Sequence, residues 1–441
     1  MYSSKDVIKV SFPIALGLLA QNVIQITDTV FLGRVGEVEF GASGLAGVYY
    51  IIFFMIGFGF SVGAQIMISR RNGEQNYREI GRILVQGILF LLLLASLLYL
   101  LSSCMANRLL STLLHSPDVL KAAENYLNYR TFGFFFSFAN VMFRAFYVGI
   151  ARTNVLTLNT LVMAVVNIAA DYLLIFGHGG FPEMGIAGAG IASVIAEVSS
   201  VLFFVIYTCR TIDLNKYGFK RMKFNFNIIR RILSISVFTM VQYVVSMSTW
   251  FVFFLAIENH GERDLAVTNI VRSLYMLFFI PINALSTTAN TLVGNTIGAG
   301  KAGQALPLIR KICLMSLCMI LLVGVLIAAF PSFWISLIAS DKSPSLIAET
   351  VAPVLTLVGI MPVCSVGAVL FNAVSGTGNT SKAMTFEVVT MFFYCLGIWL
   401  IVIEAHAPVA ICWTVELIYW GLLLLMSYFY LHKGNWQSKQ I

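Results

Sequence analysis

The chain has 441 residues, of which 59% are apolar and 11% charged, with a formal net charge of +8 and a mean hydropathy of +0.87. These values lie outside the soluble globular range and place most of the chain in a lipid bilayer. The excess of basic residues needs no nucleic acid to explain it, because it is concentrated in the segments between long apolar runs.

Runs of about 20 apolar residues predict twelve membrane-spanning helices, near 7–31, 40–69, 81–105, 126–150, 155–177, 185–209, 228–257, 265–298, 306–331, 346–372, 382–404 and 407–432. Helix 1 contains Pro13, which removes one backbone hydrogen bond and predicts a bend. Beyond it, Gln21, Gln25 and Asp28 stand at i, i+4 and i+7, on one face of an otherwise apolar helix. An acid in a helix interior costs about 2.5–3.5 kcal/mol on insertion scales, so Asp28 should face the bundle or water rather than lipid. The competing reading is that Asp28 snorkels to the interface, and the amide stripe beneath it argues against that. Helix 1 is also too long and too polar for a cleavable signal peptide, and lacks an A-x-A site.

Gly59 and Gly63 on helix 2 fit a close helix crossing of the small-xxx-small kind, as do Gly294 and Gly298 on helix 8. Helix 4 opens with the aromatic run RTFGFFFSFAN (130–140). Such a run can line a pocket for cations, although core or lipid packing is the commoner use. Helix 5 carries Asn167 and Asp171 at i and i+4, on one face. Asp171 lies about 9 Å below the outer end of its helix and Asp28 about 5 Å below that of helix 1, by helical rise. Two carboxylates at one level with an amide beside them suit a proton or a sodium ion. Close carboxyls titrate as a pair and can share a proton, and hard cations take oxygen ligands. The alternative is an unrelated pair, each bonded within its own helix.

Glu197 on helix 6 reads equally as a relay carboxylate or as the partner of Arg144 on helix 4. In the later helices Arg272, Glu387 and Glu416 are the main intramembrane charges. None has a second charge on its own helical face, so pairing across helices is as good a reading as function.

The chain repeats itself at an offset of 225 residues. Gly36 recurs as Gly261, Ala64 as Ala289, Gly73 as Gly298 and Asn154 as Asn379. GAQIMISRRNGE (63–74) overlies TANTLVGNTIGA (288–299), and ARTN (151–154) overlies GTGN (376–379). Six helices per copy give both copies the same orientation, the pattern of parallel repeats in secondary transporters. The expected organisation is an N-lobe at 1–209, a basic cytoplasmic linker at 210–227 and a C-lobe at 228–441. With the N-terminus inside, inner segments hold 20 of the 28 Lys and Arg, and outer loops hold six: Arg34, Arg108, Lys121, Arg130, Arg263 and Lys342. The positive-inside rule then puts both termini in the cytoplasm, with the linker on an anionic inner leaflet.

Other chemistries find no support. The seven cysteines form no CxxC pair and read as small buried packing residues. The five histidines fall in or near loops or helix ends, without ligand spacing. Lys301 follows glycines but lacks the earlier glycine of a phosphate-binding loop. No segment is long enough for a soluble nucleotide-binding domain. No cofactor, and no nucleophile–base pair of an intramembrane enzyme, is expected.

These residues and motifs together resemble the multidrug and toxic compound extrusion (MATE) family over nearly the whole chain. The carriers are Pro13, Gln21 and Asp28 in helix 1, FLGRVGE (31–37), GAQIMISRRNGE (63–74), VNIAADYLLIFG (166–177), MGIAGAGIAS (184–193) and GNTIGAGK (294–301). The resemblance implies an all-α polytopic membrane protein, twelve transmembrane helices in two parallel six-helix repeats forming a V-shaped bundle. It further implies export of bulky cationic or amphipathic compounds in exchange for Na+ or H+, from a bacterial inner membrane and without a cofactor. A complete pair of lobes makes a monomer sufficient.

In the branch that resembles the DNA-damage-inducible protein F, positions matching Asp28, Asn167 and Asp171 form the cation site, Na+ if sodium-coupled. Gln21, Gln25 and Glu197 are then candidates for a relay or for the substrate cleft. A second branch uses acids within helices 7 and 10, and here Glu258 and Glu349 stand only at helix ends. A flippase for a lipid-linked saccharide or related lipid is the rival reading. Against it, the intramembrane balance leans acidic (Asp28, Asp171, Glu197, Glu387, Glu416 against Arg144, Arg272), where a pyrophosphate would need cations.

Overall fold

The computed structural model describes residues 2–113, 116–219, 224–339 and 343–437. His115, Lys342 and the linker residues Lys220, Arg221 and Lys223 lie outside them. Twelve helices are long and apolar enough to cross a membrane: Ser4–Val35, Glu37–Gly73, Tyr77–Ser111, Pro117–Gly149, Asn154–Ile175, Gly185–Thr211, Phe226–Glu258, Glu262–Gly298, Ala302–Ala329, Pro344–Gly376, Thr380–Glu404 and Val409–Lys433. They are numbered helices 1 to 12 in that order, and no strand occurs among the described residues. Helix 2, at 37 residues, is about 55 Å long by helical rise. The hydrocarbon layer is about 30 Å thick, so its ends extend past the apolar core. Large apolar side chains on the outer surface, such as Val165, Leu322 and Val325, are what lipid solvates.

Helix 4 corrects the sequence reading. It starts at Pro117 rather than 126, behind an extended Ser116, with Asp118 in its first turn. Proline is tolerated at this position because its missing N–H would have no partner in a first turn. The helix then tightens through a 3-10 turn at Thr131–Gly133 before resuming as Phe134–Gly149. Arg130, counted with the outer-loop cations although the expected helix 4 began at 126, lies well inside the span Pro117–Gly149. Helix 11 is α-helical from Thr380 to Gly397 and ends in a π-helix, Ile398–Glu404.

Contacts divide the chain into two compact units, Leu16–Met240 and Met1–Ala15 with Val241–Ile441. The division falls inside helix 1, just after Pro13, and inside helix 7. In the first unit, the beginning of helix 7 docks on helix 2. Ser236 donates to the Phe60 carbonyl (3.0 Å) and Thr239 to the Gly59 carbonyl (2.7 Å). A Cβ on Gly59 would sit 2.6 Å from Met240 Cα, and one on Gly63 2.6 Å from Ser236 Cα. The predicted close crossing at Gly59 and Gly63 is thus present, with helix 7 as the partner.

The described part of the segment after helix 6 packs on the same unit, with Tyr217 against Tyr77 and Phe146. In the second unit, Lys311 Nζ donates to the Tyr2 carbonyl (2.8 Å). Its core gathers Phe253, Phe278, Trp413 and Trp436. Gly261, leading into helix 8, has φ +126°, a conformation for which glycine is the natural residue.

The cysteines differ from the expectation. Cys364 and Cys412 are buried, but Cys104, Cys209, Cys318 and Cys395 are exposed. In a spanning helix a thiol can face lipid as readily as core, so an apolar run does not by itself report burial.

Candidate functional site

Helices 1 and 5 bring Asp28 and Asp171 together, and the two carboxyls interact directly. Asp171 is fully buried and Asn167, one turn earlier on the same face, is 1% exposed. Asp28 Oδ1, both carboxylate oxygens of Asp171 and Asn167 Oδ1 are buried without a hydrogen-bond donor. Buried oxygens are ordinarily satisfied, so four orphans in one place are unusual. They form an oxygen-rich, donor-poor cluster of the kind a proton or a monovalent cation completes. Among the described residues no group of three or more His, Cys, Asp or Glu is placed to hold a metal ion. The donor set at Asp28, Asn167 and Asp171 is all oxygen, the ligand type that hard cations take.

Gln21 and Gln25 are not joined to this cluster. Both side chains are exposed, and neither is hydrogen-bonded to another described side chain.

Glu197 has a partner that neither sequence alternative named. Arg130 Nη2 donates to Glu197 Oε1 at 2.8 Å, with the two side chains 13% and 6% exposed. Ser137 donates to the same oxygen at 2.7 Å. The Tyr50 hydroxyl lies 2.6 Å from Ser137 Oγ, and must donate, because the serine proton is engaged by Glu197. The Arg130 guanidinium lies over the Tyr50 ring, 3.8 Å from its centroid, a geometry that favours a cation. Phe134 stacks on the other side of that network, 4.7 Å from Tyr50 and nearly parallel. Arg144 instead lies near the Phe58 ring, at 5.5 Å.

The ion pair and the aspartate pair belong to one electrostatic group. Arg130 acts on Asp28 through space, and Tyr126 lies in range of Asp28, Arg130 and Glu197. Below them, Asn140 accepts from Ser200 (2.9 Å) and Asn159 donates to Ser200 (2.8 Å), tying helices 4, 5 and 6 together. The backbone at Gly133 presses on the ion pair. A Cβ there would lie 2.5 Å from Glu197 Oε2 and closer still to Arg130 Nη1.

Sequence reasoning missed Arg130, Tyr50 and Ser137. The available signal was Ser-Pro-Asp at 116–118, a helix start that moves the first turn of helix 4 back and puts Arg130 well inside the helix rather than near its outer end.

A membrane protein of twelve apolar spanning helices with carboxylates buried inside the bundle has the architecture of a membrane transporter. The MatE family model matches residues 13–173 and again 236–400. The chain belongs to the MatE family, whose members are membrane transporters. It is similar to the probable multidrug resistance protein NorM of Agrobacterium fabrum, 28% identical over 81% of this chain and 77% of the relative. The NorM of Thermotoga maritima is 26% identical over 88% and 83%.

Among solved structures, a transporter of the MOP superfamily from Pyrococcus furiosus superposes with a TM-score of 0.87 at 18% identity, covering 99% of this chain and 97% of its own. An outward-facing multidrug resistance MATE family transporter gives a TM-score of 0.87 at 17% identity, with the same coverage. At such identities these likenesses speak for the fold.

Proposed function

We propose that this protein is a secondary active multidrug exporter. It moves organic cationic or amphipathic compounds out of a bacterial cell in exchange for Na+ or H+. The chain lies in the inner membrane with both termini in the cytoplasm and works as a monomer. The coupling ion binds at Asp28, Asn167 and Asp171.

The observation that carries this reading is the Asp28–Asp171 pair, in which Asp28 Oδ1 and both carboxylate oxygens of Asp171 are buried without a hydrogen-bond partner. A buried charge without a counter-ion costs several kcal/mol, and a proton or Na+ between the carboxyls removes that cost. The relatives' name, multidrug resistance protein, supports the export of drugs. Arg130 does not neutralise the pair, because Glu197 already holds it at 2.8 Å. Loading and unloading the cation therefore changes the charge of this group by one, and substrate must weaken the cation by the same factor that the cation weakens substrate.

The test is export of a fluorescent organic cation from a drug-sensitive bacterium expressing the protein, beside Asp171→Asn and Asp28→Asn. The wild type should lower dye accumulation and protect the cells. Both variants should reach the membrane in equal amount and export at background rate. Full export by Asp171→Asn would sink the site assignment.

A further inference from the structure

A second buried carboxylate, far from the aspartate pair in sequence, lies in the other unit. Glu387 on helix 11 is 1% exposed. Its Oε1 accepts from Ser246 of helix 7 (2.5 Å) and from Tyr419 of helix 12 (2.6 Å). Its Oε2 is buried and has no partner. Thr390, one turn along the same face of helix 11, is 0% exposed and its hydroxyl is unpartnered as well.

Glu416 on helix 12 provides an internal contrast. It is also buried, but each of its oxygens accepts a phenol, Tyr394 at 2.8 Å and Tyr275 at 2.8 Å. Trp420 in turn donates to the Tyr275 hydroxyl, so that hydroxyl's own proton goes to Glu416. Glu416 is closed by donors on both sides, whereas Glu387 has both donors on one oxygen and a bare oxygen opposite. Among the described residues neither acid forms an ion pair with Lys, Arg or His. Arg272, on helix 8, is exposed and lies near the Phe254 ring instead.

We infer that Glu387 is a second binding site for a monovalent cation, a proton or Na+, held between helices 7, 11 and 12. Its Oε2 supplies the charge, Thr390 and Ser246 supply neighbouring hydroxyl oxygens, and Tyr419 fixes the carboxyl plane. The site is not a duplicate of the aspartate pair. At the 225-residue offset Glu387 falls over Val162, and Asp171 over Leu396. Binding at Glu387 stands independently of the exporter reading, and only its use in transport rests on that reading.

The experiment counts cations on the purified full chain in detergent. One arm measures radioactive Na+ bound at equilibrium, and the other measures protons taken up per chain on a step from alkaline to neutral pH without Na+. Measured against the double variant Glu387→Gln with Asp171→Asn, the wild type should take up two further equivalents, in one arm or divided between the two. Glu387→Gln should lose one, Asp171→Asn the other, and the double variant both, while Glu416→Gln keeps two.

Where Glu387→Gln fails to fold, judged by gel filtration, Ser246→Ala with Tyr419→Phe leaves the carboxyl but strips its donors. That pair of changes should shift the affinity of one equivalent at least threefold. An unchanged count in Glu387→Gln, or an unchanged affinity in the stripped variant, overturns the proposal. A lost equivalent in Glu387→Gln with no ion-driven export in the wild type would keep the cation site and reject the exporter reading.

Discussion

Replacing Glu197 by Gln isolates the ion pair that the sequence did not disclose. The Arg130–Glu197 contact is 2.8 Å long with both side chains largely buried, so screening by water is slight. Removing one member of such a pair leaves a buried charge uncompensated and costs about 3–5 kcal/mol. The remaining contacts of Arg130, the Tyr50 face at 3.8 Å and the through-space attraction to Asp28, offset part of that, so the lower end of the range is expected for Glu197→Gln.

Arg130→Gln should cost a similar amount, since it leaves Glu197 with only the Ser137 donor. The double variant has no charge left to strand and should cost clearly less than the sum. The assay is reversible unfolding of the four proteins in mixed micelles, read as a double-mutant cycle. A coupling of at least about 2 kcal/mol is expected, within the range of contacting residues. Costs that add to within about 0.5 kcal/mol would show that the pair does not hold the charge as described.

Other perturbations follow from the same geometry. Gly133→Ala places a methyl against Arg130 Nη1 and Glu197 Oε2 and should destabilise the unit by about 1–3 kcal/mol, as overpacking does. Because glutamine fills the same volume, the effect should persist in the Glu197→Gln background and shrink in Arg130→Ala with Glu197→Ala, checked by the same unfolding assay. Gly63→Val forces helix 2 away from Ser236 of helix 7 and should cost a similar amount, with cysteine pairs across the crossing cross-linking more slowly than in the wild type. Tyr50→Phe loses the hydroxyl that reaches Ser137 but keeps the ring over Arg130. It should cost about 1 kcal/mol, the net worth of one hydrogen bond, and a loss as large as that of Arg130→Gln would contradict that division.

The helices were legible because hydropathy and length report membrane spans directly, and the 225-residue repeat survives in the glycines and asparagines at helix ends. Asp28, Asn167 and Asp171 stand out in the sequence as polar residues at helical spacing in apolar helices, but the same spacing also picked out Gln21 and Gln25, which are exposed. What sequence periodicity does not carry is the partner across the bundle. Glu197 meets Arg130, which lies 67 positions away in the chain, and Glu416 meets Tyr275 and Tyr394 from two further helices. Arg130 was counted with the outer-loop cations because the expected start of helix 4, at 126, put it within the first turns, whereas the helix begins at Pro117. The orphaned oxygen of Glu387 is a property of three helices at once, and no one of them announces it.

The central claim is that a cation at the Asp28–Asp171 pair drives export, and purified protein in liposomes tests it most directly. Efflux of a fluorescent organic cation is followed under an imposed Na+ gradient and then a proton gradient, with Asp171→Asn alongside. Acceleration by one gradient, lost in the variant, is the expected result and names the ion. Efflux indifferent to both gradients, or equally driven in Asp171→Asn, would contradict the account.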